Sequence, residues 1–238
     1  MSNTWFQFQQ FRIEQGNSAM KVCTDACLQG AWTARHLQKS KPERILDIGA
    51  GTGLLALMLA QETSAVIHAI ELDSPSAKEA VVNFGSSPWS TRLWLIEGDV
   101  RTYNTDERYD FIISNPPFFK KSLRSPDARR TAAMHAATLS FTDLRDAIAR
   151  LLKPGGQFSV MLPPAEFQEF RELALEKGYY VHTLLNIHRT ASDYAFRAVG
   201  IFGEGEVEFE TNVLTLQDAD LDYTVGMAQL LGPYYLYL

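Results

Sequence analysis

Cysteine is scarce in this chain: Cys23 and Cys27 are the only two. No second Cys/His pair stands at ligand spacing, which disfavours a zinc site. Two lone thiols fit a reduced, cytoplasmic compartment better than a disulfide framework. Long apolar runs are absent too: no stretch reaches the roughly eighteen consecutive apolar residues of a transmembrane helix. The N-terminus, Met1 to Gln7, lacks a basic segment leading into an apolar one, so no secretory signal is expected. Cations are outnumbered, 22 Lys and Arg against 28 Asp and Glu, for a net charge of −6. That argues against a protein that coats nucleic acid non-specifically, though not against a local basic patch. Internal repeats and low-complexity linkers are likewise missing. What is present is ordinary for a folded protein. The 238 residues are 46% hydrophobic and 21% charged, enough for one domain or one domain with a small addition.

From residue 43 onward, strand-like and helix-like segments alternate. Arg44–Ile48, Ala65–Ile70, Arg92–Ile96, Tyr109–Ser114 and Gln157–Leu162 read as strands. Leu54–Ala60, Pro75–Phe84, Phe141–Leu152 and Ala165–Glu176 read as helices, the third ended by Pro154-Gly155-Gly156 and the fourth by Gly178. The tail is strand-rich, with period-two alternation in Tyr180–Ile187, Ala195–Phe202 and Glu206–Phe209. The series predicts an α/β fold: a mostly parallel sheet, helices on both faces, and an antiparallel edge built by the C-terminal strands. Upstream, Trp5–Phe8 and Phe11–Ile13 alternate like short strands, and Thr24 or Asp25 caps a helix running to about Leu37. Lys120 to Thr131 lacks apolar periodicity and is rich in charge, the pattern of a long, mobile loop.

Two short segments carry the chemistry. Asp47-Ile48-Gly49-Ala50-Gly51-Thr52-Gly53 joins a strand to a helix, and glycine at 49, 51 and 53 lets the backbone turn tightly and approach a ligand. The spacing is Gly-x-Gly-x-Gly, not that of a dinucleotide fingerprint, and no Lys-Ser/Thr follows as in a phosphate loop. Glu71 ends the second strand, where a carboxylate accepts from both ribose hydroxyls, unless it is simply a solvated loop acid. Asp99 ends the third strand, placed to accept from an adenine amino group or to form a turn. Together these describe a site for S-adenosylmethionine. The second segment is Asn115-Pro116-Pro117-Phe118, directly after a buried strand. Two prolines stop that strand and leave Asn115 at its carboxyl end, where open α/β sheets place ligands. An amide oxygen, a proline carbonyl and an aromatic face there can hold a planar amino group.

These motifs, in this order over residues 43–165, resemble the class I, Rossmann-like methyltransferases, whose sheet has seven strands. The Asn-Pro-Pro-Phe signature resembles the branch that methylates amino groups: adenine N6, guanine N2 or a glutamine amide. The N-terminal Phe6–Gln15 and Ala19–Trp32 segments and the C-terminal Asp222-Tyr223-Thr224 and Tyr234–Leu238 extend the likeness over nearly the whole chain. They resemble the bacterial tRNA1(Val) (adenine(37)-N6)-methyltransferase family.

The resemblance implies methyl transfer to N6 of the adenine 3′ of a valine tRNA anticodon. It implies residues 1–40 as an extension covering the cofactor site and 41–238 as the methyltransferase domain. It assigns Lys21, Thr24 and Asp25 to the cofactor, with Gln15 a further candidate. Where the family pattern reads Ala-Arg-His-Glu, this chain has Ala133-Met134-His135-Ala136. Asn115, Pro116, Pro117 and Phe118 form the catalytic set. Asp47, Gly49, Gly51, Gly53, Glu71, Asp99 and Asn115 face the cofactor. Lys120, Lys121, Arg124, Arg129 and Arg130 gather beside the clamp as an RNA contact, or as an ordinary solvated loop. His135, Arg189 and Arg197 are further RNA candidates.

Rival functions are a glutamine N5-methyltransferase of a release factor, a guanine-N2 methyltransferase of ribosomal RNA, and a module that binds RNA or cofactor without catalysis. No metal and no membrane are expected, and a monomer is the default.

Overall fold

The computed structural model describes residues 3–18, 20–117 and 139–237. Trp5–Gln7 (β1) and Arg12–Glu14 (β2) form a small antiparallel pair. Helix α1 spans Thr24–Ser40, followed by β3 (Arg44–Ile48), α2 (Leu54–Glu62), β4 (Val66–Glu71), α3 (Ser74–Gly85), β5 (Leu93–Glu97) and β6 (Tyr109–Ser114). Beyond residue 138 come α4 (Phe141–Leu151), β7 (Leu152–Leu162), α5 (Pro164–Leu175), β8 (Tyr179–His188), β9 (Arg197–Glu204), β10 (Glu210–Thr215) and α6 (Val225–Leu231).

The large sheet runs β10-β8-β9-β7-β6-β3-β4-β5. It has eight strands where seven were expected. All run parallel except β9, which is antiparallel to both β7 and β8. The extra strand is β10, parallel to β8. It also corrects the sequence reading: Glu206–Phe209 is not a strand. Those residues leave the Gly205 turn (φ +80°) and carry the chain across the end of β8 to the sheet edge, where β10 then starts. A second correction concerns Pro154-Gly155-Gly156. The helix ends at Leu151 and the strand begins at once, so the Pro-Gly-Gly sequence makes a register irregularity inside β7.

Strand alternation divides the core in two. Ile45, Phe111, Ile113, Leu185 and Ile201 point to one face, covered by α1, α2, α6 and the N-terminal strands. Leu46, Ile112, Phe158, Val160 and Phe202 point to the other, covered by α4 and α5. Helix α2 is buried all round from Leu54 to Ala60, as its apolar sequence requires. Gly30 lets α1 approach it closely, since a Cβ there would lie 2.7 Å from the Met58 sulfur. The N-cap of α1 is Cys23, which makes no side-chain cap. Asp25 instead sits in the first turn, a favourable place for a negative charge, and accepts from the Ala26 amide.

Candidate active site

The parallel strands β3, β4, β5 and β6 end along one edge of the sheet, the edge at which such folds bind ligands. Above those ends lies a cleft of about 650 Å³. Gly49 and Gly51 line it from the β3–α2 turn, Glu71 from the end of β4, Asp99 from beyond β5, and Asn115, Pro116 and Pro117 from beyond β6. Lys21 and Asp25 line it as well, and so does Arg197 at the start of β9. Phe118, Lys120, Lys121, Arg124, Arg129, Arg130 and His135 lie outside the described residues, as does the 120–131 stretch.

The glycine turn does two separate things. Gly49 (φ +74°) and Gly51 (φ +56°) adopt left-handed backbone, and a Cβ built on either would meet no protein atom within 4 Å. Their missing side chains leave open space in the cleft. Gly53 (φ +83°) is not on the cleft; it caps α2, and a Cβ there would lie 2.4 Å from the Phe84 ring. Glu71 braces the turn: its Oε2 accepts from the Gly51 amide at 2.7 Å and its Oε1 from the Asp73 amide at 2.8 Å. A carboxylate has about four acceptor sites, so two remain for a ligand hydroxyl.

Asp47 is placed beneath the turn rather than on the cleft. It is fully buried, its Oδ2 accepts from the Ala56 amide at 3.2 Å, and its Oδ1 has no partner. Burial pushes its pKa up to about 7, the Ala56 hydrogen bond opposing and the Glu71 charge adding to the rise. Asp99 is on the cleft, but its carboxylate takes the Arg101 guanidinium at 2.6–3.0 Å and the Arg101 amide at 2.9 Å. Those bonds hold it below the usual carboxylate range.

In the N-terminal segment, Lys21 Nζ donates to the Asn3 carbonyl at 3.1 Å. Asp25 pairs with Arg197 Nε at 2.8 Å. Thr24 does not line the cleft; its side chain is paired with Tyr235. Gln15 is buried away from the cleft, accepting from the Val22 amide and donating to the Asn3 carbonyl, and so fixes the segment's path. Burial raises both thiols, Cys23 and Cys27, to about 12, which keeps them protonated and unreactive.

The end of β6 is fastened from below. The Ser114 hydroxyl donates to the Ile48 carbonyl at 2.9 Å, and the fully buried Gln29 of α1 donates to the Ser114 carbonyl at 2.9 Å. Ser159 of β7 joins them, receiving Thr33 Oγ1 at 3.1 Å. Pro116 is buried and Pro117 exposed. Among the described residues the Asn115 carboxamide has no hydrogen-bond partner, and it lines the cleft. This polar layer and the Asp25–Arg197 pair were not read from the sequence. Their one signal is a small polar residue within an apolar strand, as in Phe158-Ser159-Val160.

The comparisons with known proteins agree with this geometry. A family model, the methyltransferase small domain, matches residues 30–182. Solved structures share the fold at low identity. A predicted O-methyltransferase from Agrobacterium tumefaciens aligns with TM-score 0.66 at 20% identity over 89% of this chain and 97% of its own. TrmN from Thermus thermophilus aligns with TM-score 0.52 at 20% identity over 74% of this chain and 48% of its own. Curated relatives are far more similar. A tRNA1(Val) (adenine(37)-N6)-methyltransferase of Dyadobacter fermentans is 43% identical over 86% of this chain and 84% of its own. Proteins of the same name from Tolumonas auensis and Cytophaga hutchinsonii are 38% and 35% identical over 97% and 100% of this chain. With a glycine-cradled cleft, an asparagine at the end of β6 and full-length relatives at this identity, the chain belongs to the tRNA1(Val) (adenine(37)-N6)-methyltransferase family.

Proposed function

We propose that this protein transfers a methyl group from S-adenosylmethionine to N6 of adenine 37 in tRNA1(Val), acting in the cytoplasm. The observation that carries the reading is the meeting, in one cleft, of the Gly49–Gly51 cradle and the Asn115 carboxamide, which has no hydrogen-bond partner among the described residues. The residues present fit the cofactor. Cβ-free space above Gly49 and Gly51 admits its amino-acid end, and the open acceptor sites of Glu71 suit ribose hydroxyls. Asp99, on the cleft beyond β5, is placed at the adenine end. Residues 1–40 act as the extension that covers the cofactor and 41–238 as the methyltransferase domain. Lys21 and Asp25 on the cleft wall support that division.

When bound, S-adenosylmethionine supplies an electrophilic methyl group on a sulfonium. The adenine N6 lone pair is delocalised into the ring, which makes it a weak nucleophile. Asn115 Oδ1 and the Pro116 carbonyl accept its two hydrogens, aim the lone pair, and stabilise the positive charge that grows on nitrogen. Held by the Gly49–Gly51 cradle and Glu71, the cofactor would supply the methyl group, and solvent would take the proton released from N6. No strong base is required before attack. Phe118 stacks on the base, and Lys120, Lys121, Arg124, Arg129 and Arg130 contact phosphates. An anticodon loop releases a base from its stack at little cost, which suits such a pocket.

The test is incubation with labelled cofactor and total RNA from a strain lacking this activity, followed by nucleoside mass spectrometry. N6-methyladenosine confined to one small RNA is expected. Label in N2-methylguanosine, or only in added release factor, would overturn the substrate.

A further inference from the structure

The connection between β8 and β9 is an exposed tip that none of the cofactor chemistry uses. Strand directions place it beside the site. β7 runs parallel to β6, β9 antiparallel to β7, and β8 antiparallel to β9. The carboxyl end of β8 and the amino end of β9 therefore lie on the same sheet edge as Asn115. They stand two to three strand spacings away, on the order of 10–15 Å. Arg197, the first residue of β9, itself lines the cleft, so the tip continues the cleft wall.

The tip is hydrogen-bonded within itself although it is exposed. Asp193 Oδ2 accepts from the Thr190 amide at 3.0 Å and its hydroxyl at 2.8 Å, and His188 Nδ1 lies 2.8 Å from the Asp193 carbonyl. The Asp193 charge is thus turned into the loop. Phe196 anchors the base, its amide donating to the Ile187 carbonyl, with the Arg189 guanidinium 5.3 Å and the Arg197 guanidinium 5.4 Å from its ring centroid. Arg189 is exposed, and Tyr194 is 96% exposed. The neighbouring 216–222 loop pairs with this tip through its backbone, Gln217 N donating to the Arg189 carbonyl. Its Asp218 carboxylate accepts from the Asp220 and Asp222 amides of its own loop.

We propose that this tip is a second RNA-docking surface, on which Tyr194 stacks against an unpaired base and Arg189 contacts a phosphate one to a few nucleotides from the target adenine. The inference rests on the tRNA reading above and extends it to a named surface. The Tyr194 phenol has no partner among the described residues, whereas every unstacked base offers it a π face. A guanidinium held over a phenyl ring keeps its donor edge for a phosphate. The tip stands on the sheet edge that carries Asn115, so a nucleotide flanking the target adenine lies within its reach, and the exposed Asp218, Asp220 and Asp222 of the adjoining loop confine the phosphate contact to Arg189.

The experiment compares wild type with Tyr194→Ala, Tyr194→Phe and Arg189→Ala, using transcribed valine tRNA and purified cofactor. Tyr194→Ala is expected to raise tRNA Kd and KM about tenfold, the lower part of the range for one lost stack. kcat at saturating tRNA and cofactor affinity should be unchanged. Tyr194→Phe keeps the stack and should bind like wild type, a distinction a merely structural role would not make. Arg189→Ala should make the dependence of log K on log salt shallower by about one. Wild-type KM, Kd and salt slope in both alanine variants would overturn the surface while leaving the methyltransferase reading intact. A wild type that binds tRNA with these same variant effects but methylates none would overturn the reaction and keep the surface. A wild type that does not bind tRNA would overturn both.

Discussion

Replacing Asp47 with asparagine should change how the stability of this protein depends on pH. The carboxyl is fully buried, with one oxygen on the Ala56 amide and the other unpartnered. Burial raises its pKa from the ordinary 3.8 to about 7. Between those values the folded chain keeps a proton that the unfolded chain has released. Stability is therefore undiminished below the unfolded value and falls as pH rises toward 7, by 1.36 kcal/mol per unit. Across the window the loss is about 4 kcal/mol, a large share of the 5–15 kcal/mol typical of a domain. Above it both states are ionised and the penalty is constant. Asparagine has the same shape, can still accept from Ala56, and does not titrate. The stability difference between Asp47→Asn and wild type should therefore rise in favour of the variant from about pH 4 to about pH 7 and then level off. Urea unfolding of both proteins across that range measures it. A difference that stays constant with pH would refute the argument that Asp47 is held in its protonated form. Cofactor affinity should survive the substitution, because Asp47 does not line the cleft.

Three further outcomes follow from the site. Asn115→Ala should lower kcat by about a hundredfold or more with cofactor Kd unchanged, the mark of an interaction made in the transition state; equal losses in both would contradict the clamp. Gly53→Ala and Gly51→Ala should separate. The first forces a Cβ to within 2.4 Å of Phe84 and should lower the unfolding free energy read from urea denaturation by about 2 kcal/mol or more. The second has open space and should cost only the left-handed strain of about 1–2 kcal/mol while weakening cofactor binding, as isothermal titration would show. Gln29→Leu removes the donor to the Ser114 carbonyl and should cost about 1–3 kcal/mol, with kcat falling more than tRNA KM rises. A stability loss with kcat intact would reduce Gln29 to a purely structural part.

The elements that carry the site were legible because their signals are local. Apolar runs ended by glycine or by Pro116-Pro117 mark β3 and β6 within a residue. Glycine spacing marked a ligand turn without showing that Gly53 serves Phe84 and the helix cap instead of the cleft. That division depends on α3 lying across the turn, a contact thirty-one residues away in sequence. The position of Asp47 was hidden for a related reason: its acidic character was visible, but not that β3 points it inward toward the first turn of α2. The Glu206–Phe209 alternation misled because period two also describes an extended connector. Only the parallel pairing of β10 with β8 shows why the chain must cross there before re-entering the sheet. Arg197 was weighed for RNA alone, since nothing in its neighbours reveals that β9, reversing direction, returns its first residue to the cleft beside Asp25.

The clamp depends on a backbone that is held and a side chain that is not. The two hydrogen bonds at Ser114 tie β6 to β3 on one side and to α1 on the other, and Pro116 fixes φ immediately beyond Asn115. Asn115 thus has little backbone freedom on either flank, while its carboxamide has no partner among the described residues. A carboxamide bonded to protein would have to break that bond before it could accept from an amino group, raising the barrier by the cost of the exchange. One left unpaired at a solvated cleft meets only water, which an incoming amino group displaces. The arrangement therefore favours asparagine over aspartate at this position. A carboxylate would accept equally well, but it would be costly to desolvate under a stacked base and would draw a proton or a cation into the clamp.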